Sequence, residues 1–240
     1  MDISVHSFIR IYCTSCGRSF DVPRPCGNRF CEICSATRAR KIRMKLEHIC
    51  DQVKPIPGYR IRHMVLTTPK CQDLSVSAKH LIHSFRKLRN RSWFKSRVTG
   101  GAFILEVTGS PGNWHLHIHS ILQCRFLDVY KLSELWQKCS GGRIVYMKNL
   151  PKKSIIKYMT GYLTKKGCPE EYTKQVSDSL KGIRLFNTFG NWHTLLLGLK
   201  KIPYLCPCCG KSEFIADVTI QREFDECKKH PTVVLSYCGL

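Results

Sequence analysis

The sequence predicts an α+β fold: a β-α-β-β-α-β core with an antiparallel sheet, flanked at each end by a cysteine-rich, zinc-binding module. Three observations lead there. Cysteines cluster within residues 1–52 and again beyond about residue 200, and are only scattered in between. Between the clusters, strand-like stretches take turns with stretches of helical apolar spacing. One predicted strand carries three histidines in strict alternation, Trp114-His115-Leu116-His117-Ile118-His119.

The elements follow in order. Pro55-Ile56-Pro57-Gly58 reads as a hinge after the first cysteine cluster. Residues 60–68 form a first strand that stops at Pro69. Residues 77–90 place Leu81, Ile82, Phe85 and Leu88 at helical spacing. Residues 102–108 and 114–123 are the second and third strands, joined through Ser110-Pro111-Gly112-Asn113. Asp128 caps a helix whose apolar face is Leu132, Leu135, Trp136 and Cys139, ended by Gly141-Gly142. Residues 143–148 are the fourth strand, and residues 154–166 a last helix closed by Gly167. This is the ferredoxin-like split arrangement, in which the third strand is central. It divides the chain into a zinc-binding module with a basic helix at 1–52, a core domain at 53–170, and a C-terminal region at 171–240 with an expected zinc ribbon.

Bulk properties narrow the class of partner. Among 240 residues, 39 are Lys or Arg and 17 are Asp or Glu, a formal charge of +22 spread along the whole chain. Such an excess favours a polyanion, because Lys and Arg release condensed counterions from nucleic acid. No apolar run approaches the ~18 residues of a membrane span, and residues 1–10 lack the apolar block of an export signal. A cytoplasmic, nucleoid-associated protein is expected. Fifteen cysteines in that setting point to zinc sites and away from a disulfide framework.

Strand alternation puts Trp114, Leu116 and Ile118 on one face of the third strand and His115, His117 and His119 on the other. The apolar set suits the helices, which leaves the histidines on the open face of the sheet. Two imidazoles and a carboxylate make a site for a divalent metal, and Mg2+ or Mn2+ is the expected catalytic ion. If residues 110–113 are a four-residue loop, counting back along the ladder sets Glu106 opposite His117. Glu106 is therefore the expected third ligand, with His115 as the alternative and His63 as an outside candidate. On the last helix, Tyr158, Tyr162 and Lys165 fall within about 60° of one another. Ile155, Ile156, Met159 and Leu163 form a neighbouring apolar stripe. A phenol can attack a phosphodiester when a metal polarises the phosphate and a cation stabilises the developing charge.

The motif order resembles the HUH endonuclease superfamily, and within it the rolling-circle replication initiators of small plasmids and phages, with similarity to rolling-circle transposases. His63-Met64-Val65-Leu66-Thr67-Thr68 looks like the first motif of that superfamily. Ile104-Leu105-Glu106-Val107-Thr108 followed by the histidine strand is similar to its metal motif. Tyr158-Met159-Thr160-Gly161-Tyr162-Leu163-Thr164-Lys165 resembles its tyrosine motif, and Cys26-Gly27-Asn28-Arg29-Phe30-Cys31-Glu32-Ile33-Cys34 the cysteine-rich segment of some members. The resemblance implies that His117 and His119 are the metal pair. It also implies that a tyrosine cleaves one DNA strand through a 5′-phosphotyrosine and leaves a free 3′-hydroxyl. Gly161 stands where the superfamily often has a lysine, so Tyr162, backed by Lys165, is expected to attack first, and Tyr158 second or not at all. The implied partners are single-stranded or origin DNA and a host helicase and polymerase.

Cys13-x-x-Cys16 and Cys31-x-x-Cys34 are two knuckles expected to share one zinc, with Cys26 as a fifth candidate. Arg38, Arg40, Lys41, Arg43 and Lys45 follow as a basic helix suited to phosphates. At the other end, Cys206-x-x-Cys209 is expected to pair with Cys227 and His230, with Cys208 and Cys238 as alternatives. The alternatives to a nicking and joining enzyme are a non-catalytic zinc-dependent nucleic-acid regulator and a metal-dependent RNA-processing enzyme.

Overall fold

The computed structural model describes residues 8–26, 28–149, 151–164, 167–196 and 205–222, with the backbone alone for residues 32, 152, 153, 155, 162–164 and 217–222. In chain order the elements begin with β1 (Phe8–Cys13), β2 (Ser19–Pro23), α1 (Glu32–Gln52), β3 (Arg60–Thr67) and α2 (Leu74–Asn90). The short α3 (Ser92–Lys95) leads into β4 (Val98–Thr108) and β5 (His115–Cys124). Then come α4 (Val129–Ser140), β6 (Val145–Asn149), α5 (Lys152–Thr164), α6 (Thr173–Ser179), β7 (Phe186–Gly190), α7 (Asn191–Leu195) and β8 (Phe214–Arg222). No helix among the described residues is long and apolar enough to cross a membrane.

The chain divides into two compact units, Met1–Lys41 with Lys200–Leu240, and Ile42–Leu199. The two ends expected to form separate modules thus belong to one unit. Its three-stranded antiparallel sheet has the order β2-β1-β8. Arg10 on β1 pairs with Asp21 on β2 through two bonds of 2.9 and 3.0 Å. Among the described residues its packed cluster is small: Ile11 and Val22 are buried, with Ile9, Phe20 and Phe214 partly buried against them.

The larger unit holds a five-stranded sheet of order β6-β3-β5-β4-β7, with every neighbouring pair antiparallel. β5, the histidine strand, stands in the middle. Each helical crossover, from β3 to β4 and from β5 to β6, passes over one intervening strand. α2 and α4 pack on each other and on the face that carries Leu116 and Ile118. Phe85 of α2 meets Phe103 of β4 edge-on at 5.0 Å between centroids. Trp136 of α4, fully buried, donates its indole N–H to the Thr67 carbonyl at 2.7 Å. Asp73 caps α2 by accepting from the Val76 N–H, and Asp128 caps α4 by accepting from the Lys131 N–H. Gly141, at φ 76°, ends α4 in the left-handed conformation that glycine adopts at least cost.

The expected strands and helices occur with shifted ends, but the sheet is wider than expected. β7 adds a fifth strand beside β4, and the unit continues to Leu199 instead of ending near residue 170. Gly100 makes this pairing sterically possible. A Cβ there would run into the Asn191 side chain and the Phe189 carbonyl.

Candidate metal and tyrosine site

β4 and β5 pair in the register the hairpin count expects, with Glu106 opposite His117, Thr108 opposite His115 and Ile104 opposite His119. On its other side β5 pairs with β3, so that Thr67 lies opposite His117 and Val65 opposite His119. Directly opposed residues share a face. Glu106, His117, His119 and His63 are therefore on one side of the sheet, away from α2 and α4.

That face is not open, as the alternation alone suggested. α5 lies over it, with Ile156 and Met159 buried beneath, and Glu106, His119 and His63 are 8%, 5% and 1% exposed. An amphipathic helix must bury its apolar stripe, and the histidine face is where this one does so. Tyr158 of α5 sets its ring edge against His63 at 4.9 Å and against His119 at 6.3 Å between centroids, and is itself 45% exposed. The phenol therefore stands between the buried imidazoles and solvent. Beyond the helix, the Gly167 carbonyl accepts from the Gly109 N–H at 3.1 Å, which ties the end of the segment to the β4–β5 hairpin.

Within the site, His119 Nε2 and Glu106 Oε2 are 2.8 Å apart. An octahedral ion with ~2.1 Å bonds sets adjacent ligands about 3 Å apart, so this pair fits two neighbouring positions around one ion. His117 is next along the strand, 6.1 Å from His119 between ring centroids, with Nε2 3.4 Å from the Thr108 hydroxyl. The three atoms expected to bind the metal thus do not close into one tight cluster; the tight clusters among the described residues are all thiols. His115 lies beside His117 at 4.3 Å. His63, an outside candidate from sequence, stacks on His119 at 5.7 Å and 9°. Burial above all, then the charges of His119 and Lys148, holds the His63 pKa down to about 4, so the imidazole is neutral. Tyr162 lies one helical turn beyond Tyr158 on α5, with its side chain outside the described set, and Lys165 lies outside the described residues.

The cysteines regroup. Cys13, Cys16, Cys206 and Cys209 offer four sulfurs within 4.8 Å of one another, and Cys26, Cys31 and Cys34 offer three. The expected pairing of Cys13 and Cys16 with Cys31 and Cys34 is thereby corrected. The cause is strand pairing. β1 ends at Cys13, which pairs with Phe214 at the start of β8, so the knuckle after β1 and the knuckle before β8 meet at one end of the sheet. The two turns have the same form. Gly17 N–H bonds the Cys13 carbonyl and Gly210 N–H the Cys206 carbonyl, each at 2.8 Å, with φ of 69° and 71° at the glycines. Sulfur separations are 3.5 Å for Cys13 and Cys209, 3.7 Å for Cys16 and Cys206, and 3.6 Å for Cys26 and Cys34. A tetrahedral zinc with ~2.3 Å bonds sets its sulfurs about 3.8 Å apart, so both thiol clusters could hold zinc. No disulfide joins any of the described cysteines. Cys227, His230 and Cys238, expected at the C-terminal site, lie outside the described residues, and Cys208 is exposed.

Of the basic helix, Arg38 donates to the Arg29 carbonyl at 3.2 Å and Arg43 pairs with Glu47 at 2.8 Å, while Arg40 is exposed and Lys41 half-buried. Burial first, then the charge of Arg38, lowers the Arg29 pKa to about 10.

A family model described as "Replication protein" matches residues 18–197. A curated relative from Staphylococcus aureus, named "Protein rep", is 30% identical over 129 residues. The match covers 48% of this chain and 56% of the relative, so the chain spans just over half of that protein's length. No solved structure matches the chain.

Proposed function

The chain belongs to the Replication protein family, and we propose that it is a replication initiator that nicks and rejoins one strand of DNA on a ferredoxin-like HUH core, with a tyrosine as the nucleophile. One observation carries this reading: a buried His119–Glu106 pair and the ring of Tyr158 meet on a single sheet face. An ordinary core has little use for an acid, three imidazoles and a phenol in one place, whereas phosphoryl transfer uses each of them.

The donor set suits a divalent cation, Mg2+ or Mn2+, held by His117, His119 and Glu106. When bound, the ion polarises the scissile phosphate and offsets developing charge. His63, neutral and stacked on His119, fixes the orientation of that ring. The tyrosine oxygen then bonds to phosphorus, the bond from phosphorus to the 3′-oxygen breaks, and the phenol gives up its proton as the 3′-oxygen takes one up. The products are a 5′-phosphotyrosine and a 3′-hydroxyl that a polymerase extends. Tyr162, with Lys165 three residues further on to stabilise charge, is assigned the first attack and Tyr158 the second. The zinc-binding unit and the basic residues Arg38, Arg40, Lys41 and Arg43 are assigned to DNA binding. The setting is the cytoplasm of a host that supplies helicase and polymerase.

The test is covalent adduct formation on single-stranded origin DNA with Mg2+ or Mn2+. Wild type is expected to give an adduct that survives denaturation, and Tyr162→Phe is expected to abolish the first one. No adduct from wild type on any single-stranded substrate rejects the endonuclease. Loss in Tyr158→Phe with retention in Tyr162→Phe reverses the assignment of the two tyrosines.

A further inference from the structure

β6 is an edge strand, and two of its side chains share the histidine face. Tyr146 lies opposite Val65, which on its other side lies opposite His119, and Lys148 lies opposite His63. Tyr146 therefore stands in one row across the sheet with His119. At ~4.8 Å per strand it is about 10 Å from that residue. Tyr146 is 51% exposed, and Lys148 is exposed beside it. Where β6 ends, an open cavity of about 530 Å³ is lined by Tyr59, Arg60, Ile61, Asn149 and Pro151. The Arg125 guanidinium lies 5.0 Å from the Tyr59 ring centre.

A lysine on an edge strand by itself serves to block edge-to-edge pairing. An exposed tyrosine two residues away works against that end, because it adds apolar, β-favouring surface. Alternating aromatic rings and cations leading from a cavity towards a phosphodiester-cleaving site have another use. Bases stack on rings whatever their sequence, and cations follow the backbone.

We infer that β6 and the adjoining cavity form a track for single-stranded DNA leading to the histidine site. One base stacks on Tyr146, a phosphate pairs with Lys148, and a second base enters the cavity against Tyr59. The inference rests on the DNA-nicking reading for its direction, but its readout is binding and needs no cleavage.

The experiment is equilibrium anisotropy with fluorescein-labelled oligothymidylate, without added Mg2+ or Mn2+, on the full chain. Tyr146→Ala is expected to weaken binding roughly 5- to 150-fold, the range for removing one base–aromatic stack. Tyr146→Phe is expected to retain it. Lys148→Ala is expected to reduce the slope of log affinity against log salt by about 0.7, the value for one single-strand phosphate. Tyr130, 85% exposed on α4, is the control, and Tyr130→Ala is expected to bind as wild type does. Unchanged affinity in Tyr146→Ala, or equal loss in Tyr130→Ala, overturns the track even if the protein nicks DNA. A wild type that binds the probe through Tyr146 yet forms no covalent adduct keeps the track and rejects the nickase.

Discussion

Replacing Cys209 with serine tests the regrouped thiols most directly, because Cys209 and Cys13 are 196 positions apart in sequence and 3.5 Å apart at sulfur. If Cys13, Cys16, Cys206 and Cys209 share a zinc, Cys209→Ser removes one of four ligands and releases three thiols. The size of the effect follows from what else holds that unit together. Among its described residues the packed cluster centres on two buried aliphatic side chains, Ile11 and Val22, and Phe8 of β1 is buried as well. Each contributes about 1.5–3 kcal/mol. A structural zinc contributes about 10–16 kcal/mol of apparent folding free energy. The metal thus outweighs the apolar cluster, and its loss is expected to unfold the three-stranded sheet. The five-stranded sheet of the other unit has its own helices and core, and is expected to keep its thermal transition.

The assay is native alkylation with N-ethylmaleimide, read by peptide mass spectrometry, beside zinc content by elemental analysis. Wild type is expected to protect Cys13, Cys16, Cys206 and Cys209. Cys209→Ser is expected to lose one equivalent of zinc and to expose Cys13, Cys16 and Cys206, while Cys26, Cys31 and Cys34 keep their protection. Continued protection of Cys13 and Cys16 with full zinc would overturn the shared site. It would return these cysteines to the pairing with Cys31 and Cys34 that their spacing suggests.

Other perturbations probe the larger unit. Trp136→Phe leaves the Thr67 carbonyl without its indole donor; it is expected to destabilise the unit by about 1–3 kcal/mol in urea unfolding. Gly167→Ala drives a methyl group into the Val107 carbonyl. About 1–3 kcal/mol of lost stability is expected from such overpacking, with a larger fall in adduct yield, since the segment that ties the tyrosine helix to the hairpin must move. Glu106→Gln preserves shape and hydrogen bonding near His119. It is expected to lower Mn2+ affinity, read by titration calorimetry, by at least about 10- to 100-fold, the loss that follows from removing even an outer partner of a metal ligand. Unaltered Mn2+ binding in Glu106→Gln would remove this residue from the ligand set.

What was legible in the sequence was local. The 3.6-residue and two-residue periods located α2, α4, β3, β4 and β5 because each buries one face against the same core. Asp73 was nonetheless missed as a cap: the apolar spacing begins later, at Leu81, while the helix begins at Leu74. β7 was missed because Phe186-Asn187-Thr188-Phe189-Gly190 is too short to show alternation, and its one signal lay elsewhere in the chain. Gly100-Gly101 at the start of β4 reports that another backbone passes close by, without saying which. The thiol grouping failed for the same reason. Cys-x-x-Cys announces a knuckle, but which two knuckles meet is decided by β1 pairing with β8 across some 200 residues, a contact with no local trace. Strand alternation alone left the histidine face open because it reports two faces and not what lies on each; the apolar stripe of α5, with Ile156 and Met159 buried, is what closes it.

The histidine site shows how a local turn can settle a question of chemistry. Three alternating histidines offer two overlapping pairs, and the strand alone does not choose between them. The choice depends on where the carboxylate stands, and that depends on the loop. Gly109, at φ 104°, packs so closely on Asn113 that a Cβ would strike its carbonyl, and the Asn113 N–H bonds the Ser110 carbonyl at 2.9 Å. These contacts close the loop at four residues, the length that agrees with Glu106 standing opposite His117 along a ladder whose helix face is buried. In that register the carboxylate reaches diagonally to His119 and leaves His115 beside Thr108 at the sheet's end. Inserting one residue after Gly112 offers the ladder two outcomes. A one-residue slip would turn Glu106 to the helix face, where a charge among Leu116 and Ile118 is prohibitive. A bulge confined to the loop would leave the site intact. The second outcome is expected, with Mn2+ affinity unchanged by the insertion. An insertion that folds but binds no Mn2+ would mean that the loop, and not the buried face of the ladder, sets the register.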